Sequence, residues 1–279
     1  MDGIASVFEE VPGAGRARVL VAGDGHEPLL FVHGWPTCAR VFWPFLTAPG
    51  LRARFRMRAP DLFGFGRSTL LAPRLTFAHQ VAMVLAVARR ASAPCVAVGT
   101  SFGARVLLEA ASSAPALFRR VVLLAPYLHR GVIERSLEGR LLARFPRQIR
   151  ALHRLPWSLL TGAWAAVSSL LAAGASASWA RQAIPLIADV ARLRAETFDL
   201  VNALPDGRAL LTTLRVPIEL WYGDRDRLLD TRELSGLAPL RGLTIVRVEG
   251  GGHALHDTHV PELAAALLAS AAPPAEASP

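Results

Sequence analysis

The chain has 279 residues, 52% of them hydrophobic and 19% charged: enough apolar sequence for one large domain, or a domain with an insertion, around a buried core, which excludes disorder as its dominant state. Its formal net charge is +9 and all 31 basic residues are arginine, a coding bias that weakens the charge as a sign of nucleic acid. No helix-turn-helix, zinc-finger or RNA-binding aromatic pattern accompanies it, so a basic solvated surface and no nucleic-acid partner are expected.

The acidic N-terminus, MDGIASVFEEVPGAG, lacks an apolar segment of signal-peptide length. Two cysteines, Cys38 and Cys95, are too few for a disulfide scaffold and stand in no zinc or haem spacing; a reducing, cytoplasmic setting fits them. Up to residue 126 short apolar runs alternate with helical patterns, the signature of strand–helix units around a mostly parallel sheet. Strands are predicted at Arg18–Ala22, Leu29–His33, Arg56–Pro60, Cys95–Gly99 and Val121–Leu124, and helices at Thr76–Ala91 and Phe102–Ser113.

After Pro126 the alternation stops. From Tyr127 to about Arg208 the chain is helical in character and rich in Leu, Ala and Arg. Strands return at Val216–Tyr222 and Thr244–Val248, and a last helix is predicted at Pro261–Ala271, so the middle segment reads as an insertion between two strands of one sheet. Within it, residues 155–180 carry no charge, but their Ser, Gly, Thr and Pro content argues for two packed helices broken near Gly162 or Gly174 rather than a membrane span. The Pro/Ala-rich tail, Pro273–Pro279, is expected to be disordered.

The sharpest local signal is Gly99-Thr100-Ser101-Phe102-Gly103, a G-x-S-x-G pattern entered from an apolar strand and left by a helix. That context defines a nucleophile elbow, whose tight turn requires small residues on either side of the serine. The segment Phe31-Val32-His33-Gly34-Trp35-Pro36 ends an earlier strand, where the N–H of Trp35 and that of Phe102 can together stabilise an oxyanion. Pro36 has no N–H to offer, and His33 is expected to brace the loop. The turn Gly223-Asp224-Arg225-Asp226 ends another strand with two carboxylates. Asp226 is favoured to orient an imidazole and Asp224 to stabilise its own turn. Gly250-Gly251-Gly252-His253 can carry His253, the candidate base, towards Ser101, while His256 and His259 read as surface or packing residues.

The order Ser101, Asp226, His253 and these segments together resemble the α/β-hydrolase fold superfamily, as does Asp61-Leu62-Phe63-Gly64-Phe65-Gly66-Arg67-Ser68, which is similar to that family's DLPGxGxS stretch. The resemblance spans residues 18–271. It implies a core formed by residues 1–126 and 209–279, a helical cap at 127–208, and acyl transfer through a serine ester with no cofactor or metal. The HGWP segment also resembles epoxide hydrolases and haloalkane dehalogenases, but those carry aspartate where this chain has Ser101, which disfavours an alkyl-enzyme. Phe63 replaces the family's usual proline, a departure expected to affect loop packing rather than chemistry.

A small acyl substrate is therefore expected, with Trp157 and Trp164 of the cap as candidates for an apolar pocket. Between Arg130 and Arg154 seven arginines face only Glu134 and Glu138, and Arg140, Arg144, Arg147 and Arg154 share one helical face if Pro146 only kinks the helix. Such a face is either solvated or docks an acidic or phosphate-bearing acyl carrier protein. Pimeloyl-ester esterases, relatives within the family with a similar HGW segment and DLPGFGRS loop, support the second possibility.

Overall fold

A computed structural model describes residues 3–129, 196–237, 240 and 242–269. Trp157, Trp164, Arg140, Arg144, Arg147, the uncharged stretch 155–180 and the tail 273–279 lie outside the described residues. Among the described residues no helix is long and apolar enough to cross a membrane.

Among the described residues nine strands form one sheet: β1 (Ile4–Val11), β2 (Gly15–Ala22), β3 (Glu27–Val32), β4 (Phe55–Pro60), β5 (Thr69–Leu70), β6 (Cys95–Thr100), β7 (Phe118–Leu124), β8 (Ile218–Gly223) and β9 (Leu243–Val248). Their spatial order is β1-β2-β4-β3-β6-β7-β8-β9, with β5 added to β2. Pairing is antiparallel where β2 meets β1, β4 and β5, and parallel from β4 through β9. The eight-residue hairpin strand β1 escapes the sequence reading because its side chains alternate through exposed positions at the sheet edge, so no apolar run marks it.

The central strands are buried on both faces, which explains their continuous apolar sequence. Cys95 and Ala97 of β6 and Val121 and Leu123 of β7 enter one core layer, packed against α3 (Phe77–Arg89) and α4 (Phe102–Ser113). Val96, Val98, Val122 and Leu124 enter the other, against α1 (Trp43–Thr47), α2 (Pro49–Arg54) and the last described helix, Val260–Ala269. Thr76 sets the start of α3 through a capping box: its hydroxyl accepts the His79 N–H while His79 Nδ1 accepts the Thr76 N–H. The parallel strands all run their C-terminal ends to one edge of the sheet, and the candidate site residues lie there.

Candidate active site

The turn from β6 into α4 bends at Ser101, whose φ of 50° and ψ of −116° form a strained conformation for a residue with a side chain. Two glycines make it sterically feasible. A Cβ on Gly103 would lie 2.2 Å from the His33 carbonyl oxygen, and one on Gly99 would lie 2.7 Å from Ala104 Cα. β7 clamps the bend from the side, since Ser101 N–H donates to Leu124 O at 2.9 Å and Tyr127 N–H donates to Ser101 O at 3.1 Å. Between those two contacts Ala125 adopts φ 44°, a second strained non-glycine residue supporting the same turn.

The structure brings Ser101, His253 and Asp226 together from three separate loops. Ser101 Oγ lies 3.0 Å from His253 Nε2, and His253 Nδ1 lies 2.8 Å from Asp226 Oδ2. The other carboxylate oxygen of Asp226 accepts the N–H groups of Leu228 and Leu229 at 2.8 and 3.0 Å, which fixes the plane of the buried carboxylate. Asp224 departs from the role expected for it. Rather than bonding to its own turn, it accepts Gly250 N–H at 2.8 Å and Arg247 Nη2 at 3.0 Å, tying the acid turn to the start of the histidine loop. The Arg247 guanidinium beside it holds its carboxyl below the usual range.

Gly34 lies directly against the elbow, where a Cβ would come within 3.1 Å of both Ser101 Cβ and Thr100 O; Trp35 follows it. His33 shapes this loop. Its Nε2 accepts Leu62 N–H at 2.9 Å, so the ring proton sits on Nδ1 and donates to Gly34 O at 2.9 Å. Burial pushes the His33 imidazole down, against the opposing pull of Asp61, so the neutral ring this bonding requires is favoured.

Asp61, fully buried, accepts Arg18 Nη1 at 2.8 Å, Ala39 N–H at 2.9 Å and Arg67 N–H at 2.8 Å, so its charge is paired and its lone pairs are used. Phe63 gains from not being proline: its N–H donates to Gln80 Oε1 at 2.9 Å and its carbonyl accepts Gln80 Nε2 at 2.7 Å. A proline there would leave the Gln80 oxygen unpaired in the core.

Three contacts were not found in the sequence. Trp35 Nε1 donates to Thr197 Oγ1 at 3.1 Å, linking the loop after β3 to the helix Glu196–Asn202. Gln80 pairs with Phe63 across the chain, and His256 reaches Thr100 beside the elbow at 3.3 Å. Each joins residues far apart in sequence, where no local spacing signals contact. Cys95, at the far end of β6 from Ser101, is buried and its thiol is pushed up to about 12, first by desolvation, which leaves it inert as a nucleophile.

A model of the alpha/beta hydrolase family matches residues 29–266. Over 275 residues the chain is 26% identical to the pimeloyl-[acyl-carrier protein] methyl ester esterase of Xylella fastidiosa (strain 9a5c), covering 94% of this chain and 97% of that one. The thioesterase domain from the curacin biosynthetic pathway superimposes with a TM-score of 0.72 at 20% identity, over 95% of this chain and 99% of that one. A thermophilic esterase from Thermogutta terrifontis does so with a TM-score of 0.72 at 18% identity, over 95% and 96%. At these identities the two structures establish likeness of fold.

Proposed function

The chain belongs to the alpha/beta hydrolase family, and within it we propose a serine hydrolase that cleaves a carboxylic ester or related acyl bond through Ser101, His253 and Asp226. The observation that carries this reading is the unbroken hydrogen-bonded line from Ser101 Oγ through both ring nitrogens of His253 to Asp226 Oδ2.

In the reaction Ser101 Oγ attacks the acyl carbon as its proton passes to His253 Nε2, while Asp226 holds the Nδ1–H and stabilises the imidazolium. The tetrahedral oxyanion is met by the N–H groups of Phe102 and Trp35. Phe102 is the first residue of α4, so its N–H has no carbonyl a turn behind it and lies at the positive end of the helix. The leaving group departs with the proton from Nε2, and the acyl group stays on Ser101 as an ester. Water then attacks that ester, giving its proton to Nε2, and the acid leaves as Oγ recovers the proton. Serine at the elbow, in place of aspartate, supports this acyl route over an alkyl-enzyme. Ser101→Ala is expected to keep the fold and lose on the order of 10⁴-fold or more in kcat on a p-nitrophenyl ester, together with labelling by a serine-directed phosphonate. Unchanged turnover would overturn the assignment.

The proposal includes a helical cap at 127–208 with Trp157 and Trp164 at an apolar acyl pocket, and a cytoplasmic setting, which a sequence with only two cysteines favours. The near full-length likeness to a carrier-protein ester esterase favours a second, narrower reading: the acyl group arrives on an acidic or phosphate-bearing carrier docked at Arg140, Arg144 and Arg147. Salt then raises KM for coenzyme A-linked or carrier-linked esters while barely affecting a neutral p-nitrophenyl ester. Replacing the three arginines by Gln raises KM for the charged substrates alone. Equal effects on both substrate classes would leave a plain carboxylesterase.

A further inference from the structure

The histidine loop carries a second imidazole for which the proposed chemistry has no use. His256 follows His253 by three residues, within the short helix Leu255–Thr258, and its Nδ1 lies 3.3 Å from Thr100 Oγ1. Thr100 is buried and immediately precedes Ser101. The His256 ring also packs against Phe42, with centroids 6.0 Å apart and planes at 55°. One ring therefore touches both the residue before the candidate nucleophile and a phenylalanine of the core.

Gly250, Gly251 and Gly252 precede His253, a stretch with no side chain that could hold the base in place. The upstream end is tied to the acid turn, with Arg225 N–H donating to Gly251 O at 2.9 Å and Gly250 N–H to Asp224 Oδ1 at 2.8 Å. The downstream end is tied to β6 by His256 and Thr100. His253 thus stands between an anchor on the strand that carries the acid and an anchor on the strand that carries the serine.

We infer that His256 is a positioning residue for the proposed hydrolysis, holding His253 at working distance from Ser101 through its hydrogen bond with Thr100. The inference rests on the proposed roles of that pair. Desolvation first, then His253 and His33, push the His256 imidazole down to about 4, so it stays uncharged at neutral pH and adds no positive charge beside the base. A neutral imidazole keeps its bond to Thr100 while His253 gains and loses a proton.

Kinetics of p-nitrophenyl acetate hydrolysis by the full chain test the inference. His256→Phe and Thr100→Val each remove one partner, a double variant removes both, and Thr100→Ser retains the hydroxyl. Each single loss is expected to lower kcat about tenfold with KM within about twofold of the parent, because misplacing the base penalises the chemical step and not binding. The double variant should lose no more than either single one, since both break the same bond. Thr100→Ser should stay within about twofold of the parent kcat. Parental kcat in His256→Phe, losses that multiply in the double variant, or a rise in KM in place of the fall in kcat would each overturn the inference. If His256→Phe fails to fold, Thr100→Val and Thr100→Ser decide it, and equal kcat for those two overturns it. An inactive Ser101→Ala with His256→Phe at parental kcat sinks this inference alone, whereas an active Ser101→Ala sinks the nucleophile assignment as well.

Discussion

Asp224 and Asp226 stand two residues apart in one turn and make different bonds. Asp226 is buried and faces His253 Nδ1, so in the proposed mechanism its charge selects the tautomer that leaves Nε2 free to accept a proton. Asp226→Asn is expected to lower kcat on the order of 10⁴-fold by stabilising the wrong tautomer. Asp224→Asn retains an oxygen for Gly250 N–H and gives up an ion pair with the exposed Arg247, so its kcat is expected to stay within about tenfold of the parent. Rates for the two variants on one ester check the ranking, and its reversal would move the acid to Asp224. The meeting of Ser101, His253 and Asp226 was legible because each follows a strand end beside a glycine. The bonds made by Asp224, His256 and Gln80 were not, since each partner lies on a different element and no local pattern encodes it.

At the scale of an element, the elbow depends on how closely α4 approaches β3. A Cβ on Gly103 would meet the backbone oxygens of His33 and Val32 at 2.2 and 2.4 Å, and neither strand nor helix can give way without shifting the sheet. Gly103→Ala is expected to cost about 1–3 kcal/mol and to lower Tm by several degrees. Gly252→Ala supplies the contrast, because a Cβ there meets nothing within 4 Å, and its stability is expected to remain within about 0.5 kcal/mol of the parent. Thermal unfolding of the two variants measures the difference; equal losses would show that loop glycine content, and not close approach, sets the stability. Parallel strands and the helices α3 and α4 were legible because both faces of each strand, or one full face of each helix, are apolar. The helices α1 and α2 were not, being five and six residues long with prolines at their starts, too short for a period to emerge.

For the whole molecule, the buried His33 and the half-buried His256 make stability depend on pH in a definite direction. His33 and His256 both have imidazoles pushed below the ordinary value of 6.5, His256 to about 4, chiefly because burial disfavours the charged ring. Asp61 and Arg18 face His33 with opposite pulls, and His253 and His33 face His256. A ring that binds its proton less readily in the folded chain gives the unfolded chain an advantage once the solution can protonate it. The contribution is therefore complete above pH 6.5 and declines as pH falls towards the folded value. For His256 the loss reaches about 3 kcal/mol by pH 4. Asp206 and Asp224, held low by Arg208 and Arg247, act only below about 3.8, outside this window. Asp257 runs the other way, because desolvation raises its carboxyl and acidification favours its folded form. Between pH 6.5 and 4.5 the histidine slope is expected to dominate, with Tm flat above it and falling within it. His256→Phe should flatten that slope while His33 retains part of it, and a Tm that is constant from pH 7 to 4.5 in the parent would show that these rings are already protonated or solvated in the folded chain.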